Sequence, residues 1–307
     1  MRALVFVATL AAIASGGVAC AAAAADLTVP IFDLSAAPES QAASYVKTAG
    51  RMRSPATARV AVVSFVVEFV DSHATTSAKP VHVAIELDRD QLQPIVDTLF
   101  DSVVENLRTM DTVIVGPADA DMLAGHASLA PYFAGAPGNR ESSDEIGKRT
   151  SLIISAHARP ALLDDQAPAT LAAQAAASRL DGVTLVSVHL VVDFLLPRRK
   201  QAPAYAQVIR AMESRCHLAR PDGSAMTAVL RQSVRAPLDP IARGKAGGYD
   251  NDDDVDAASD IERLAVDAAV YYDQALRYLD ATQDMMIAAL GFQPANTSSR
   301  QAPSSGK

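Results

Sequence analysis

Polar and charged side chains recur at alternate positions of three predicted strands in the second half of the chain. The first of these strands carries Ser187, His189 and Asp193. The next two carry Glu213, Arg215, His217, Arg231, Ser233 and Arg235. Alternate residues of a strand point to the same side, so three paired strands would form one polar face with charges of both signs. Such a face is either the hydrated side of an antiparallel sheet or a docking face for a partner or ligand.

We predict no catalytic residue among these side chains. Ser187, His189 and Asp193 belong to one flat strand, point in parallel and do not converge as a catalytic triad must. The sequence also lacks G-x-S-x-G, H-E-x-x-H, a phosphate-binding P-loop motif and C-x-x-C. The candidate binding residues are therefore His189, Asp193, Glu213, Arg215, His217, Arg231 and Arg235.

No metal site or cofactor is predicted from the remaining residues. The acidic run at 250–256 imitates the start of an EF-hand loop, but Val255 occupies the glycine position and Ile261 the position of the final glutamate. That run is typical of a solvated linker before a helix. The histidines are scattered one per element, and Cys216 alternates with apolar neighbours, which favours a buried, inert thiol.

The N-terminus has the layout of an export signal. Met1-Arg2 precede a short apolar run, and Ala23-Ala24-Ala25 before Asp26 form a small-residue cleavage site, which predicts a signal peptide at 1–25. The alternative is lipoprotein processing at Cys20, because Gly17-Val18-Ala19-Cys20 is similar to a bacterial lipobox that lacks its usual first aliphatic residue. Either route predicts a periplasmic or otherwise extracytoplasmic protein, secreted to the cell envelope.

Charge narrows the choice of partner. Cleavage before Asp26 removes Arg2 and leaves 26 basic against 35 acidic residues, a net charge of −9. This balance argues against nucleic acid or an anionic membrane surface as the main partner. No transmembrane span is expected, and the apolar core of the signal itself is shorter than the roughly 20 residues that a spanning helix needs.

Hydrophobic periodicity predicts a single α/β domain at 57–292, after a flexible leader at 26–56 and before a disordered tail at 293–307. The fold class is α/β (α+β): one mixed sheet with flanking helices, a C-terminal antiparallel hairpin and a closing helix. In the first half, strands are expected at 59–70, 81–87 and 112–115, helices at 90–108 and 117–123, and a long loop at 130–149. In the second half, strands are expected at 151–157, 183–196, 206–219 and 224–236, and helices at 167–180 and 255–290.

Several of these segments follow one another as in a known family. RVAVVSF at 59–65 is followed by LQPIVDTLFDSVVENL at 92–107 and by DTVIVGPADADML at 111–123. AAQAAASRLDGVTLVSVHLVVDF then occupies 172–194. This layout resembles the α/β domain of the curli-secretion lipoprotein CsgG and the N-terminal domain of TolB, over about 59–290. The chain departs from that family at Leu180-Asp181-Gly182 and in the insertion-like segment 130–149.

The resemblance implies a non-enzymatic envelope protein that acts through protein contacts or homo-oligomerisation. Our main expectation is accordingly an exported protein-interaction or assembly module whose envelope partner the sequence does not identify. The alternative is an extracytoplasmic hydrolase or small-ligand-binding protein that uses the 130–149 loop as a lid.

Overall fold

The computed structural model describes 30–51, 59–75, 82–108, 113–114, 133–134, 138–143, 147–159, 161–162, 183–195, 205–211, 213–220, 222–236, 238, 242–243 and 261–292. The predicted signal peptide with Cys20, the helices at 117–123 and 167–180, the acidic run and the C-terminal tail lie outside these residues.

A long strand, β2 (Arg59–Thr75), forms the centre of the sheet. It pairs in parallel with β9 (Val183–Leu195) and antiparallel with β7 (Gly147–Ser155). Its apolar run is buried from Val60 onward, as expected of a strand covered on both faces. The large sheet has both parallel and antiparallel pairs, which confirms the predicted α/β class with a mixed sheet.

The main path of this sheet runs β1-β12-β11-β9-β2-β3-β15-β14. The strands on this path, besides β2 and β9, are β1 (Val46–Arg51), β3 (His82–Ile85), β11 (Arg215–Ala219), β12 (Ala225–Leu230), β14 (Ala242–Arg243) and β15 (Ile261–Ala265). Joined to it off this path are β4 (Val113–Ile114), β6 (Asn139–Ser143), β10 (Tyr205–Ile209) and β13 (Val234–Arg235). A separate pair consists of β5 (Phe133–Ala134) and β8 (Ala161–Leu162).

Two long helices cover one side of the sheet. These are α2 (Arg89–Arg108) and α3 (Ala268–Ala289), and a shorter helix, α1 (Pro38–Tyr45), contacts α3. Phe65 packs edge-on against Phe100 with ring centroids 5.8 Å apart, and Phe69 packs against Tyr272 at 4.9 Å. The apolar stripe predicted for α2 is buried here, which explains why periodicity alone located that helix to within one residue.

The predicted hairpin between β11 and β12 is present. The backbone N–H of Arg220 donates to the Ser224 carbonyl, and that of Gly223 donates to the Arg220 carbonyl, both at 3.0 Å. Gly223 has φ +76°, a value that glycine adopts at little cost. The resulting register places Arg215 opposite Val229, and Ala219 opposite Ala225.

Residues 30–51 differ from the expected flexible leader. They contain α1 and β1, and β1 pairs antiparallel with β12 over its whole length. Only Val46 of β1 is buried and the other five residues are exposed, so the strand has no apolar periodicity that sequence reasoning could detect. The first described part of the chain therefore belongs to the sheet.

Four further expectations are corrected. The predicted loop at 130–149 includes β6 and the start of β7, which form an antiparallel pair docked on β2. The predicted closing helix at 255–290 begins only at Ala268, because β15 pairs in parallel with β3 and Asp267 then caps the helix by accepting from the Val270 N–H. The predicted strand at 206–219 is interrupted between β10 and β11, and that at 224–236 between β12 and β13.

Candidate functional site

The polar side chains lie on the side of the large sheet that faces away from α2 and α3, here called the back face. Register pairs Ser64 with Ser187, Val66 with His189, and His189 in turn with Arg215. Because directly paired residues share a face, His189, Arg215 and their alternate neighbours form the mixed polar surface that the sequence predicted.

Glu68 is at the centre of a first polar cluster on this face. The side chain is only 1% exposed, and its Oε2 atom lies 3.1 Å from His189 Nε2 and 3.4 Å from Arg140 Nη1. Burial alone raises the pKa of the Glu68 carboxyl, but the hydrogen bond and charge of His189, together with Ser151 and Arg140, lower it to about 2. Glu68 is therefore a fixed negative charge inside the sheet.

Asp193 is at the centre of a second cluster, further along β9. Its Oδ1 atom lies 2.6 Å from His73 Nε2, and its Oδ2 atom accepts from Arg210 Nη1 at 2.6 Å. Burial alone raises the pKa of the Asp193 carboxyl, but the charge and hydrogen bond of His73 and the charge of Arg210 outweigh it, so this pKa is lowered. Asp193 is consequently ionised and held from two sides.

The interruption between β10 and β11 builds the rest of this cluster. Both strands pair antiparallel with β9, and between them the Arg210 N–H donates to the Val191 carbonyl at 2.9 Å. Ser214 completes the bend, since its Oγ accepts from the Val191 N–H at 2.9 Å. The bend places Arg210 Nε 3.2 Å from Glu213 Oε1, three residues later.

Arg149 extends the cluster onto β7. Its guanidinium contacts both carboxylate oxygens of Glu213, with Nη1 to Oε1 at 3.1 Å, and Arg149 lies directly opposite His73 in the strand register. The result, here called the charge network, links four segments of the chain. Its members are His73, Arg149, Asp193, Arg210 and Glu213.

This arrangement is chemically suited to holding strands together. Each carboxylate of the two clusters has an arginine and at least one further cationic or hydrogen-bonding partner, a geometry typical of structural ion pairs. His189 contacts Glu68 and Asp193 contacts His73, while Ser187 is buried opposite His217. The three residues that share β9 thus have separate partners and do not form a triad.

The other predicted binding residues lie at different depths. His217 is buried, with Nδ1 2.9 Å from Thr227 Oγ1, whereas Arg215 is partly exposed. Arg231 follows β12 and is exposed, and its backbone N–H donates to the Tyr45 carbonyl at 2.7 Å. Arg235 lies on β13 at a distance from this group along the chain, and its backbone pairs with Pro30 and Phe32. The predicted binding residues are thus separated: His217 is buried in the sheet, Arg215 and Arg231 are more exposed, and Arg235 lies on β13.

Exposure on the back face increases towards β1. In one row of paired residues, Ser187 and His217 are 2% and 4% exposed, Thr227 is partly exposed, and Ala49 is exposed. The parallel row through His189 ends in Arg215, Val229 and the exposed Lys47. The back face is therefore covered near β9 and open near β12 and β1.

Several residues of the clusters were not predicted from the sequence. Glu68 could have been found, because it is the one charge within the apolar run VAVVSFVVEFV at 60–70. His73, Arg140 and Arg149 were assigned to loops, and Arg210 received no role. Their positions depend on how β6, β7 and the 210–214 bend pair, and no local pattern contains that information.

The described residues contain no group of three or more His, Cys, Asp or Glu able to hold a metal ion. A small pocket lies on the helix side, between α3 and the strands β10 and β13, lined in part by Phe32, Ile209 and Tyr278. Cys216 is buried as predicted, and burial raises the pKa of its thiol to about 12. No helix in the described part of the chain has the length and apolar character to cross a membrane.

The comparisons with known proteins give no relative from which a role could be transferred. No protein-family model, no curated protein and no solved structure matches the chain.

Proposed function

We propose that this chain is an exported, non-enzymatic protein-interaction module of the bacterial envelope that binds its partner through the open end of the back face. That end is defined by β1, β12 and β11 and carries Lys47, Arg215 and Arg231. The carrying observation is that exposure on the back face rises from the buried clusters on β2 and β9 to the basic residues of β11, β12 and β1.

The paired part supports a non-enzymatic role. A general base or nucleophile must reach a substrate, but Glu68 and Asp193 are buried and each is bound to a histidine and an arginine. Ser187 and Cys216 are buried as well, and the thiol has a pKa of about 12. These buried groups pair strands of the sheet with one another and are placed away from any substrate.

The open part supports protein binding. Arginine is enriched at binding hot spots because its planar guanidinium forms several directed contacts at once. Arg215 begins β11, which pairs with both β9 and β12, so the backbone that carries this side chain is already fixed before a partner binds.

The proposed location in the cell envelope rests on the N-terminal signal. The segment 1–25 has the charge, apolar core and cleavage site of a secretory signal, and Cys20 provides the alternative, a lipid anchor. The hydrolase or ligand-binding alternative is not favoured, because β6 and β7 include much of its expected lid and β7 is paired with β2.

The test is capture of envelope proteins by the immobilised exported chain, compared with the double variant Arg215→Ala and Arg231→Ala. Exposed charges of this kind contribute about 0–1 kcal/mol each to folding, so the variant should unfold at nearly the wild-type midpoint. Loss of an arginine at an interface often costs 2 kcal/mol or more, so capture should fall at least tenfold.

A control variant carries Arg108→Ala and Arg277→Ala, which removes two arginines from the helix side. Capture by this control should equal that of the wild type. Equal capture by all three proteins would refute the proposed role of the open end.

A further inference from the structure

We propose that the outer edge of β1 binds a strand of the partner protein, which pairs with β1 through backbone hydrogen bonds and carries acidic side chains. This inference rests on the proposed function and names the way in which the partner is bound. The surface concerned, here called the β1 edge, consists of the outward backbone groups of β1 and the side chains of Lys47 and Arg51.

β1 is the outermost strand at one end of the sheet. It pairs with β12 over its whole length and, within the described part of the chain, with no other strand. Every residue of β1 except Val46 is exposed, so the strand is open to solvent on both faces beyond that residue. An edge strand of this kind carries N–H and C=O groups with which a strand of another protein can pair.

The direction of the β1 backbone identifies these groups. The Arg231 N–H donates to the Tyr45 carbonyl at 2.7 Å, so the polar backbone groups of Tyr45 point towards β12. Successive residues of a strand direct these groups to opposite edges, so those of Thr48, three residues later, point outward. Val46 agrees with this alternation, since its N–H donates to the Ala42 carbonyl of α1 and not to β12.

The side chains of the β1 edge favour an acidic strand. β1 reads VKTAGR, with two cations and no acidic residue, in a chain whose net charge is −8. Lys47 and Arg51 are both exposed, and neither has an ion-pair partner among the described residues. An acidic side chain across from Lys47 on an added strand would form a cross-strand pair of opposite charge.

A second copy of the chain fits the β1 edge less well than an acidic strand. Two paired β1 strands would bring Lys47 and Arg51 of both copies to one shared edge, where like charges are destabilising. Lysine on an edge strand is a common protection against such self-pairing. The residues that oppose a second copy attract an acidic strand, so the β1 edge discriminates between the two.

β6 offers a comparison, because it also lies at an edge of the described sheet and pairs there with β7 alone. Its charges differ from those of β1. Arg140 contacts the buried carboxylate of Glu68, and the next residue is the exposed Glu141. β6 therefore lacks the two unpaired cations that distinguish the β1 edge.

The binding experiment uses a fluorescent peptide of alternating glutamate and valine, EVEVEVE, with the purified exported chain. Fluorescence anisotropy should show saturable binding that weakens as salt screens the charges. Thr48→Pro removes the outward N–H and keeps Lys47 and Arg51, and it should raise the Kd at least tenfold. Thr48→Val keeps that N–H and should bind within twofold of the wild type.

The contribution of charge is tested separately. The double variant Lys47→Glu and Arg51→Glu should raise the Kd at least tenfold. The control, Arg108→Glu and Arg277→Glu, changes the net charge equally on the helix side and should stay within twofold of the wild type. A milder pair, Lys47→Gln and Arg51→Gln, serves if the charge reversal impairs folding, and unfolding midpoints are measured for every variant.

Modified peptides test strand pairing with the unaltered chain. When the glutamates lie across from Lys47, the valines lie across from Thr48 and direct their N–H groups at β1. N-methylation of the valines should therefore abolish binding. N-methylation of the glutamates, whose N–H groups point away from β1, should weaken binding far less. Amide hydrogen exchange at Thr48 should slow at least tenfold with saturating peptide.

The proposal is overturned if the wild type does not bind the peptide, or if the two N-methylated peptides bind equally. It is also overturned if Thr48→Pro binds the peptide as tightly as Thr48→Val, because the peptide would then be held by charge alone. If Thr48→Pro lowers the unfolding midpoint strongly, the N-methylated peptides decide the question.

Comparison with the capture assay separates the two proposals. If capture depends on Arg215 and Arg231 while the peptide does not bind, the interaction module stands and the added strand is wrong. If capture responds neither to these arginines nor to Thr48→Pro, and the peptide does not bind, both proposals fall.

Discussion

Replacing Glu68 by glutamine tests whether the polar clusters stabilise the sheet through charge. The substitution keeps the shape of the side chain and removes its negative charge from a site that is 1% exposed. His189 and Arg140 then lose the carboxylate that they contact at 3.1 and 3.4 Å. The buried site then loses the charge that stabilises its contacts with both side chains, so we expect a loss of folding free energy at neutral pH.

The lowered pKa of Glu68 gives the size of this stability contribution and the direction in which it changes with pH. The Glu68 pKa falls from an ordinary 4.5 to about 2, which at about 1.4 kcal/mol per pKa unit corresponds to roughly 3 kcal/mol at pH 7. A lowered folded-state pKa means that this stability is complete above the unfolded-state pKa. It is lost as pH falls through the folded-state value, so roughly 1 kcal/mol remains at pH 3.

Urea unfolding at pH 7 and pH 3 measures both effects. Glu68→Gln should cost about 1–3 kcal/mol at pH 7, and its stability should fall by about 2 kcal/mol less than that of the wild type between the two pH values. Glu141→Gln removes an exposed carboxylate on β6, which pairs with β7, and as the matched control it should behave as the wild type. If Glu68→Gln and the wild type lose equal stability on acidification, Glu68 is not the titrating group and the reasoning is refuted.

Two further predictions concern the helix layer and the N-terminus. Leu99 is fully buried in the α2 stripe, so Leu99→Ala should cost about 2–5 kcal/mol in urea unfolding, and an unchanged midpoint would contradict its place in the core. Mass spectrometry of the exported protein should find Asp26 at the mature N-terminus, whereas a diacylglyceryl-modified Cys20 would establish lipoprotein processing instead.

Elements with strong local signals could be predicted from the sequence. The apolar stripe of α2 recurs every three or four residues, and β9 is apolar on one face over its whole length, so both elements were placed within one residue of their ends. The hairpin turn at 220–223 was also predictable, because proline restricts φ and glycine readily adopts the positive φ that such a turn uses. In each case the information lies within about 20 neighbouring residues.

Elements defined by distant pairing could not be predicted in this way. β1 is exposed except for Val46, and it is a strand because β12 pairs with it across nearly 180 residues of sequence. β15 was assigned to a helix because Leu264 fits the stripe of α3, but its pairing with β3 overrides that local preference. The candidate site has the same limit, since the alternation on β9 identified His189 and Asp193 but not Glu68 and His73, their partners on β2.

The bend between β10 and β11 connects the buried charge network to the open end of the back face. A bend of this kind interrupts strand pairing, and it persists here because Arg210 and Glu213 gain ion pairs with Asp193 and Arg149. Arg215 begins β11 only two residues after Glu213, so the network fixes where that strand starts. We therefore expect the two parts of the back face to respond differently to mutation: changes in the charge network should alter stability, and changes at the open end should alter binding alone. A variant of the open end that unfolds as easily as a variant of the charge network would contradict this separation.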